Sequence, residues 1–327
     1  MQNQRRGLLK LLLGAAAGFG SLSSWAQTWP DKAIKLILGY TTGGASDATA
    51  RIINRPLEQI LKQSVVTDYK PGAGASIGAE FAARAAPDGY TIGLTDTGPL
   101  CIMPHLRKVS YDPLTSFTPL SYICTTGLVL IVNPELPVNN IQELIAMAKK
   151  RPGSLSYASS GVGSVHHLAG ELFKARAGVS IVHIPYRGAG PALTDLVGGQ
   201  IPVMFATIGP ALSMISAGKA RALGVTSLTR SASLPNVPTI AERGLNGYEA
   251  VLRFYVMGPA KMPQLITTKL QSDFKTVVTD STVIAELKKL GNDEIGYKSP
   301  SEIEALIQDD YRKWGNLITQ TKITLDT

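Results

Sequence analysis

The chain has 327 residues, of which 44% are hydrophobic and 17% charged. This length and composition are typical of a globular protein with room for two domains. The formal net charge is +8, but the basic residues are spread along the chain and are not interleaved with aromatic residues. We therefore expect no nucleic-acid partner, whereas small anionic ligands are compatible with a mild excess of positive charge.

The first 26 residues predict a cleavable export signal. Arg5, Arg6 and Lys10 precede a short apolar stretch, and residues 24–26 offer a small-x-small cleavage site. The apolar stretch is short for a membrane span. The paired arginines also fit a twin-arginine signal, so both export routes stay open. Cleavage removes three positive and no negative charges, which lowers the formal charge from +8 to +5. With no cysteine near the cleavage site, we expect a periplasmic protein that is not a lipoprotein.

The elements that follow the signal alternate between strands and helices. The pattern predicts a strand over 33–40, a helix over 46–62, a strand over 64–69, a helix over 77–85 and a strand over 91–95. Such a run of β-α-β units predicts a parallel sheet that is covered by helices.

A glycine-rich turn joins the first strand to the first helix. Gly43 and Gly44 precede Ser46 and Asp47 there. Adjacent glycines let the backbone approach a ligand, and a helix N-terminus offers unpaired N–H groups with partial positive charge. The turn therefore predicts half of an anion site. An ordinary strand-to-helix turn is the alternative.

Two long strands, over 120–132 and 248–258, are predicted to join this part of the chain to a second one. The second part again alternates between strands and helices, and three helices end the chain. Its predicted elements and those that follow are helix 141–150, strand 155–159, a helix to about 177, strand 180–184, helix 191–197, strand 201–206, helix 210–217, strand 220–226, and helices 263–279, 281–290 and 300–320.

A second glycine-rich turn lies about 120 residues after the first, and it contains Ser159, Gly161, Gly163 and Ser164 ahead of His167. If the two parts face each other, both helix N-termini can bind one ligand. A carboxylate held there gains charge-assisted hydrogen bonds of roughly 1.5–3 kcal/mol each.

Sequence motifs for other chemistries are absent. The chain has no G-x-G-x-x-G unit in a dinucleotide-binding context, no Walker motif and no H-E-x-x-H, so neither a cofactor nor a metal ion is expected. None of Ser159, Ser160 and Ser164 lies in a G-x-S-x-G elbow. An exported hydrolase with Ser164 and His167 is the enzymatic alternative. Cys101 and Cys124 could be buried thiols or a disulfide, because spacing alone does not show whether their Cα atoms approach.

Many ordered motifs resemble one family over essentially the whole mature chain. The matching stretches are TGGASD (42–47), PGAG (71–74), PDGY (87–90), YASSGVGS (157–164), PYRG (185–188), GGQ (198–200) and LPNVPT (234–239). On these motifs the chain is identified as resembling the Bug receptors, the extracytoplasmic solute-binding proteins of tripartite tricarboxylate transporters.

The resemblance implies an α/β, two-lobed periplasmic-binding-protein type II fold. Each lobe would be a mainly parallel sheet flanked by helices, with lobe 1 formed by 27–124 plus 254–327 and lobe 2 by 125–253, joined by two crossing strands. It implies a monomer that binds a small organic acid, such as a mono- or dicarboxylate, an aromatic acid or an amino acid. The acid would be handed to membrane permease subunits, with a two-component sensor as the alternative partner.

The resemblance also assigns binding residues by position. The first glycine turn would contribute Tyr40, Thr41, Gly43, Gly44 and Asp47. The second would contribute Ser159, Gly161, Gly163, Ser164 and His167. Thr97, Arg187 and Thr207 would form the walls. Asp47 is expected to accept backbone N–H groups, since a carboxylate that faced an anionic ligand would repel it.

One stretch departs from the family pattern. Where the family usually carries Pro-Phe-x-Pro before the two glycines, residues 38–42 here read LGYTT. The change removes two prolines and adds hydroxyl groups, which predicts a less rigid and more polar turn. The identity of the acid does not follow from these motifs, because backbone donors accept any carboxylate.

Overall fold

The computed structural model describes residues 29–324 of the chain, and the predicted export signal lies outside them. Ten strands are present in this part. They are β1 (Ile34–Leu38), β2 (Val65–Tyr69), β3 (Thr91–Asp96), β4 (Phe117–Val132), β5 (Ser156–Ser159), β6 (Val182–Pro185), β7 (Val203–Thr207), β8 (Arg221–Val225), β9 (Val251–Pro259) and β10 (Asn292–Ile295).

Helices connect and cover these strands. They are α1 (Ala45–Leu61), α2 (Ser76–Ala83), α3 (Met103–Leu106), α4 (Ile141–Lys150), α5 (Val165–Ala177), α6 (Ala189–Val197), α7 (Ile208–Ser216), α8 (Gln264–Thr279), α9 (Ser281–Lys289) and α10 (Pro300–Thr321). A 3₁₀ turn (Ala73–Ala75) precedes α2, and a π-helical turn (Gly98–Ile102) precedes α3. No helix within the described residues is both long and apolar enough to cross a membrane.

The strands follow the order β2-β1-β3-β9-β4-β7-β5-β6, and β8 and β10 also pair with β4. β4 belongs to two groups of strands. Its residues 117–127 pair with β9, and its residues 128–132 pair with β7 and β8. β4 and β9 are the two long strands that the sequence predicted. The predicted lobe boundaries within them stay a prediction.

Parallel pairing fixes where the loops lie. β1 pairs in parallel with β2 and β3, and β5 pairs in parallel with β6 and β7, as the β-α-β pattern predicted. Because parallel neighbours end at the same edge of a sheet, the loops after β1 and β3 share one edge, and those after β5, β6 and β7 share another. Ligands of open α/β sheets bind outside these carboxyl ends.

The strands form the core because their side chains are apolar and fully packed. Ile34, Leu36, Ile37 and Leu38 of β1 are each at most 1% exposed, which is typical of a parallel strand with helices on both faces. Cys101 and Cys124 are buried free thiols, and this settles the disulfide question that the sequence left open.

Candidate functional site

A small central cavity lies where the strand ends meet. One wall is the loop after β1 and the start of α1, and the facing wall comes from the loops after β5, β6 and β7. A residue of β9 lies between the two walls. The lining residues are Tyr40, Thr41, Gly44, Ala45, Ser46, Ser160, His166, Ala189, Thr207 and Leu252.

Three helices that begin at the cavity lack side-chain caps. The residues that precede α1, α6 and α7 are Gly44, Gly188 and Thr207, and none of their side chains caps the helix. By contrast, Asn140 caps α4 and Ser299 forms a capping box on α10. The first N–H groups of a helix have no partner within the helix. The cavity wall therefore presents several backbone donors and the positive ends of three helix dipoles.

Asp47 holds the first glycine turn in place. Its carboxylate accepts hydrogen bonds from the Gly43 N–H (3.0 Å), the Tyr69 hydroxyl (2.6 Å) and Arg51 Nε (3.3 Å). Burial raises the pKa of Asp47, but the hydrogen bonds from Tyr69, Gly43 and Arg51 outweigh it, and the pKa lies below its usual value. The expectation that Asp47 binds backbone N–H groups is thus confirmed at Gly43.

Tyr40 is held by a buried carboxylate that the sequence did not single out. Its hydroxyl donates to Asp96 Oδ1 at 3.3 Å, and the same oxygen accepts the Gly98 N–H at 2.7 Å. Asp96 is 1% exposed. Its burial raises the pKa to about 7, although the hydrogen bonds from Gly98 and Tyr40 favour the ionised form. Asp96 therefore fixes Tyr40, which lines the cavity.

The second glycine turn is stabilised largely by its own side chains. Ser164 caps α5 by accepting the His167 N–H at 3.2 Å, and its hydroxyl donates to the Gly161 carbonyl at 2.7 Å. The Gly163 N–H donates to His167 Nδ1 at 3.3 Å. Ser159 lies 2.6 Å from His183 Nε2. Ser164 and His167 therefore do not form the nucleophile–base pair that a hydrolase would need.

Ser160 and His166 are a polar pair in the cavity wall. Ser160 Oγ lies 2.8 Å from His166 Nδ1, and both residues are 5% exposed. Burial lowers the pKa of His166 to about 4, so the ring is neutral at physiological pH. His166 Nε2 and the Thr207 hydroxyl oxygen are buried without a hydrogen-bond partner. No group of three potential metal ligands occurs within residues 29–324.

The two walls touch around the cavity. The Thr41 hydroxyl donates to the Arg187 carbonyl oxygen at 3.1 Å. A Cβ added at Gly74 would lie 2.6 Å from the Val162 carbonyl oxygen, and a Cβ at Gly163 would overlap the Met103 sulfur. The two walls are therefore in direct contact beside the cavity.

Residues 49–323 match the model of a family described as the tripartite tricarboxylate transporter family receptor. The chain belongs to this receptor family. Rpa4515 of R. palustris with adipate is similar to it, with 32% sequence identity and a TM-score of 0.87 over 90% of this chain and 99% of that chain. The periplasmic binding protein BugD is 31% identical, with a TM-score of 0.86 over 90% of this chain and 99% of that chain. MatC of Rhodopseudomonas palustris with bound malate is 26% identical, with a TM-score of 0.84 over 89% of this chain and 100% of that chain. The fold is accordingly the two-lobed α/β fold of periplasmic binding proteins.

Four of the positions that the family resemblance assigned line the central cavity of this receptor: Tyr40, Thr41, Gly44 and Thr207. Two neighbouring cavities hold four more. Gly43 and Asp47 line one of about 650 Å³, which Gly44 and Thr207 also border. Gly161 and Arg187 line another of about 690 Å³.

The remaining assigned residues lie behind the receptor's cavity wall. The buried Thr97 hydroxyl accepts the Arg253 N–H at 3.0 Å. Ser159, Gly163, Ser164 and His167 form the framework of the second glycine turn. Their role as ligand contacts stays a prediction.

Sequence reasoning did not assign six lining residues to the site: Ala45, Ser46, Ser160, His166, Ala189 and Leu252. The local sequence could have indicated Ala189 as a site residue, because it begins a helix directly after a polar strand-to-helix turn. Nothing in the local sequence distinguishes Leu252 from any other apolar residue of a crossing strand.

Proposed function

We propose that this receptor captures a small organic carboxylate in the central cavity and closes over it. The observation that carries the proposal is the convergence of three helix N-termini without side-chain caps on one cavity. Unpaired N–H groups and the positive ends of helix dipoles together form an anion site. The adipate and malate bound by the related structures agree with this ligand class.

The energetics are sufficient without a cationic side chain. None of the ten described lining residues is Lys or Arg. Each charge-assisted hydrogen bond contributes about 1.5–3 kcal/mol, and each helix end adds about 0.3–1 kcal/mol. Micromolar binding needs about 8 kcal/mol after the costs of association. Three or four backbone donors and three helix ends contribute about 5–15 kcal/mol before the association costs, and the upper part of this range meets the requirement.

The same arrangement argues for a receptor and against an exported hydrolase. Ser164 caps α5 through the backbone of His167 and does not contact its ring. In the Ser160–His166 pair the pKa of about 4 makes the imidazole a weak base. We infer that the receptor performs no catalysis.

The proposal also covers the boundaries of the two lobes and the partner that receives the acid. Lobe 1 would comprise residues 27–124 and 254–327, and lobe 2 residues 125–253, with closure about the crossing strands β4 and β9. The closed receptor would be a monomer that delivers its acid to the permease subunits of a tripartite transporter. A two-component sensor is the second candidate partner.

A thermal-shift and calorimetric screen of mono- and dicarboxylates tests the proposal. We expect at least one acid to raise the melting temperature and to bind with micromolar affinity, and matched uncharged amides to have no effect. The absence of stabilisation by every acid, together with turnover of an ester substrate, would overturn it.

Localisation has its own test. We propose that residues 1–26 are removed on export, by the general or the twin-arginine route. N-terminal sequencing of the protein from a periplasmic extract should begin at Gln27. Retention of the full-length chain in the cytoplasm would contradict the proposal.

A further inference from the structure

Two buried polar groups of the central cavity have no partner in the protein. His166 is 5% exposed and Thr207 is 2% exposed, and both line the cavity. Neither His166 Nε2 nor Thr207 Oγ1 makes a hydrogen bond. Because buried polar atoms are nearly always paired in folded proteins, either with protein groups or with ordered water, a polar group of a bound molecule is a candidate partner for these two atoms.

The neighbour of His166 decides which kind of group it offers. The Ser160 hydroxyl is buried, and its hydrogen bond is to His166 Nδ1 at 2.8 Å. A serine proton needs an acceptor, and an unprotonated imidazole nitrogen provides one. With Nδ1 accepting, the single proton of the neutral ring lies on Nε2. Both His166 and Thr207 then offer hydrogen-bond donors.

We propose that His166 and Thr207 form a specificity subsite for an oxygen atom near the bound carboxylate, so that the receptor selects hydroxy or oxo acids over their unsubstituted counterparts. The inference rests on the proposed carboxylate site and adds a second contact to it. The helix starts hold the carboxylate, and the Nε2–H and O–H groups donate to the second oxygen.

The subsite suits a neutral oxygen better than a second carboxylate. His166 is uncharged, and no lining residue of the cavity is Lys or Arg. A second buried carboxylate would lie without a counter-ion, which is costly in a dry site. A carbonyl oxygen can accept from both donors, and a hydroxyl group can accept from His166 Nε2–H and donate to the Thr207 hydroxyl oxygen. A site built to hydrogen-bond such an oxygen rejects the analogue that lacks it, because its donors are then left unpaired.

Calorimetry with two matched pairs of acids tests the inference: propionate against lactate, and succinate against malate. Members of a pair differ by one hydroxyl group. We expect the hydroxy acid to bind at least tenfold more tightly in the pair that fits the cavity. Equal affinity within every pair that binds overturns the subsite and leaves the carboxylate site standing. Failure of all four acids to bind, when other carboxylates do bind, also overturns the subsite. Failure of every carboxylate overturns the proposed function itself.

Conservative variants separate the donor role from packing. Thr207→Val keeps the shape of the side chain and His166→Leu keeps its bulk, and each should reduce the hydroxy-acid preference to about threefold or less. Thr207→Ser and His166→Gln retain a donor and should keep most of the preference. Unchanged preference in both Thr207→Val and His166→Leu contradicts the inference.

The tautomer can be measured without any ligand. Nitrogen-15 spectra of the labelled full-length mature protein should show a His166 ring protonated at Nε2 and unprotonated at Nδ1 near pH 7, and Ser160→Ala should change this distribution. A ring protonated at Nδ1 would remove one of the two donors and overturn the subsite.

Discussion

The Thr41 hydroxyl donates a 3.1 Å hydrogen bond to the carbonyl oxygen of Arg187, and it thereby joins the loop after β1 to the loop after β6. Gly188 lies directly beside this contact, with φ at +136° and with Thr41 Oγ1 only 2.5 Å from the position of a Cβ. Thr41 lies in the stretch where the family resemblance led us to expect prolines. A proline there could not donate this hydrogen bond, because it has no hydroxyl group.

Thr41→Val removes the hydrogen bond and keeps the shape of the side chain. We expect the closed form to lose about 1 kcal/mol, which is roughly fivefold in Kd, mainly through faster ligand dissociation. Stopped-flow kinetics with the acid found in the screen measures this. Thr42→Val is the control, because the neighbouring Thr42 is exposed. Equal dissociation rates in both variants would contradict the prediction.

Gly74→Ala should hinder closure. Gly74 has φ +60°, and an added Cβ would lie 2.6 Å from the Val162 carbonyl oxygen on the opposite wall. Gly178, with φ +63°, has nothing within 4 Å of its Cβ position. Both substitutions should lower the free energy of unfolding by about 1 kcal/mol through backbone strain.

Only Gly74→Ala should also weaken ligand binding, by tenfold or more, since Gly178→Ala creates no contact between the walls. Calorimetry and thermal melts on the same samples separate the two effects. If the Gly74→Ala variant binds the ligand as tightly as the Gly178→Ala variant, the contact with Val162 does not hinder closure.

Asp47→Asn should destabilise the first glycine turn by about 1–3 kcal/mol, because the amide leaves donors of Gly43, Tyr69 or Arg51 unsatisfied. The pKa of Asp47 is lowered in the folded state, so its contribution is present above its unfolded pKa near 3.8 and is lost as the pH falls through the folded value.

Urea unfolding at pH 7 and below pH 4 measures this, and the gap between wild type and Asp47→Asn should narrow in acid. Asp68→Asn, which removes a partly exposed ion pair with Lys70, should change stability by less than about 0.5 kcal/mol at pH 7. A constant gap across this pH range would contradict the assigned role of Asp47.

Asp96 should produce the opposite pH dependence. Burial raises its pKa to about 7 in the folded protein, from about 3.8. The protonated carboxyl group therefore contributes stability that is complete below pH 4 and is lost as the pH rises towards 7. Relative to Asp96→Asn, which does not titrate, the melting temperature of the wild type should fall between pH 4 and 7 and stay level above pH 8. Parallel curves for the two proteins would refute the raised pKa.

Local sequence signals predicted the fold and the glycine turn before α1. The alternation of apolar strands with helices places β1 to β3 correctly, and Gly43 marks the turn before α1, because few other residues adopt its φ of +84°. The hydrogen bond of Asp47 to the Gly43 N–H could be expected, since the two residues are four positions apart and a carboxylate at a helix start accepts backbone N–H groups.

The second wall depends on contacts that are distant in the sequence. Asp96 reaches Tyr40 across 56 residues, and no local pattern links them. The family motif points to His167, yet it is His166 that lines the cavity. Consecutive residues of a helix point about 100° apart, so His166 and His167 face different directions. The role of His167 as a ligand contact stays a prediction. The convergence of α6 and α7 on α1 follows from strand order, which one sequence does not encode locally.

The uncapped helix starts, together with His166 and Thr207, would affect how the proposed membrane partner distinguishes a loaded receptor from an empty one. In a closed but empty cleft these donors would be shut away from both water and ligand, and each unsatisfied group would cost about 1–3 kcal/mol. These unmet hydrogen bonds would therefore disfavour closure of an empty receptor. The closed conformation would then form mainly when ligand is bound. A partner that binds only the closed conformation would therefore rarely bind an empty receptor.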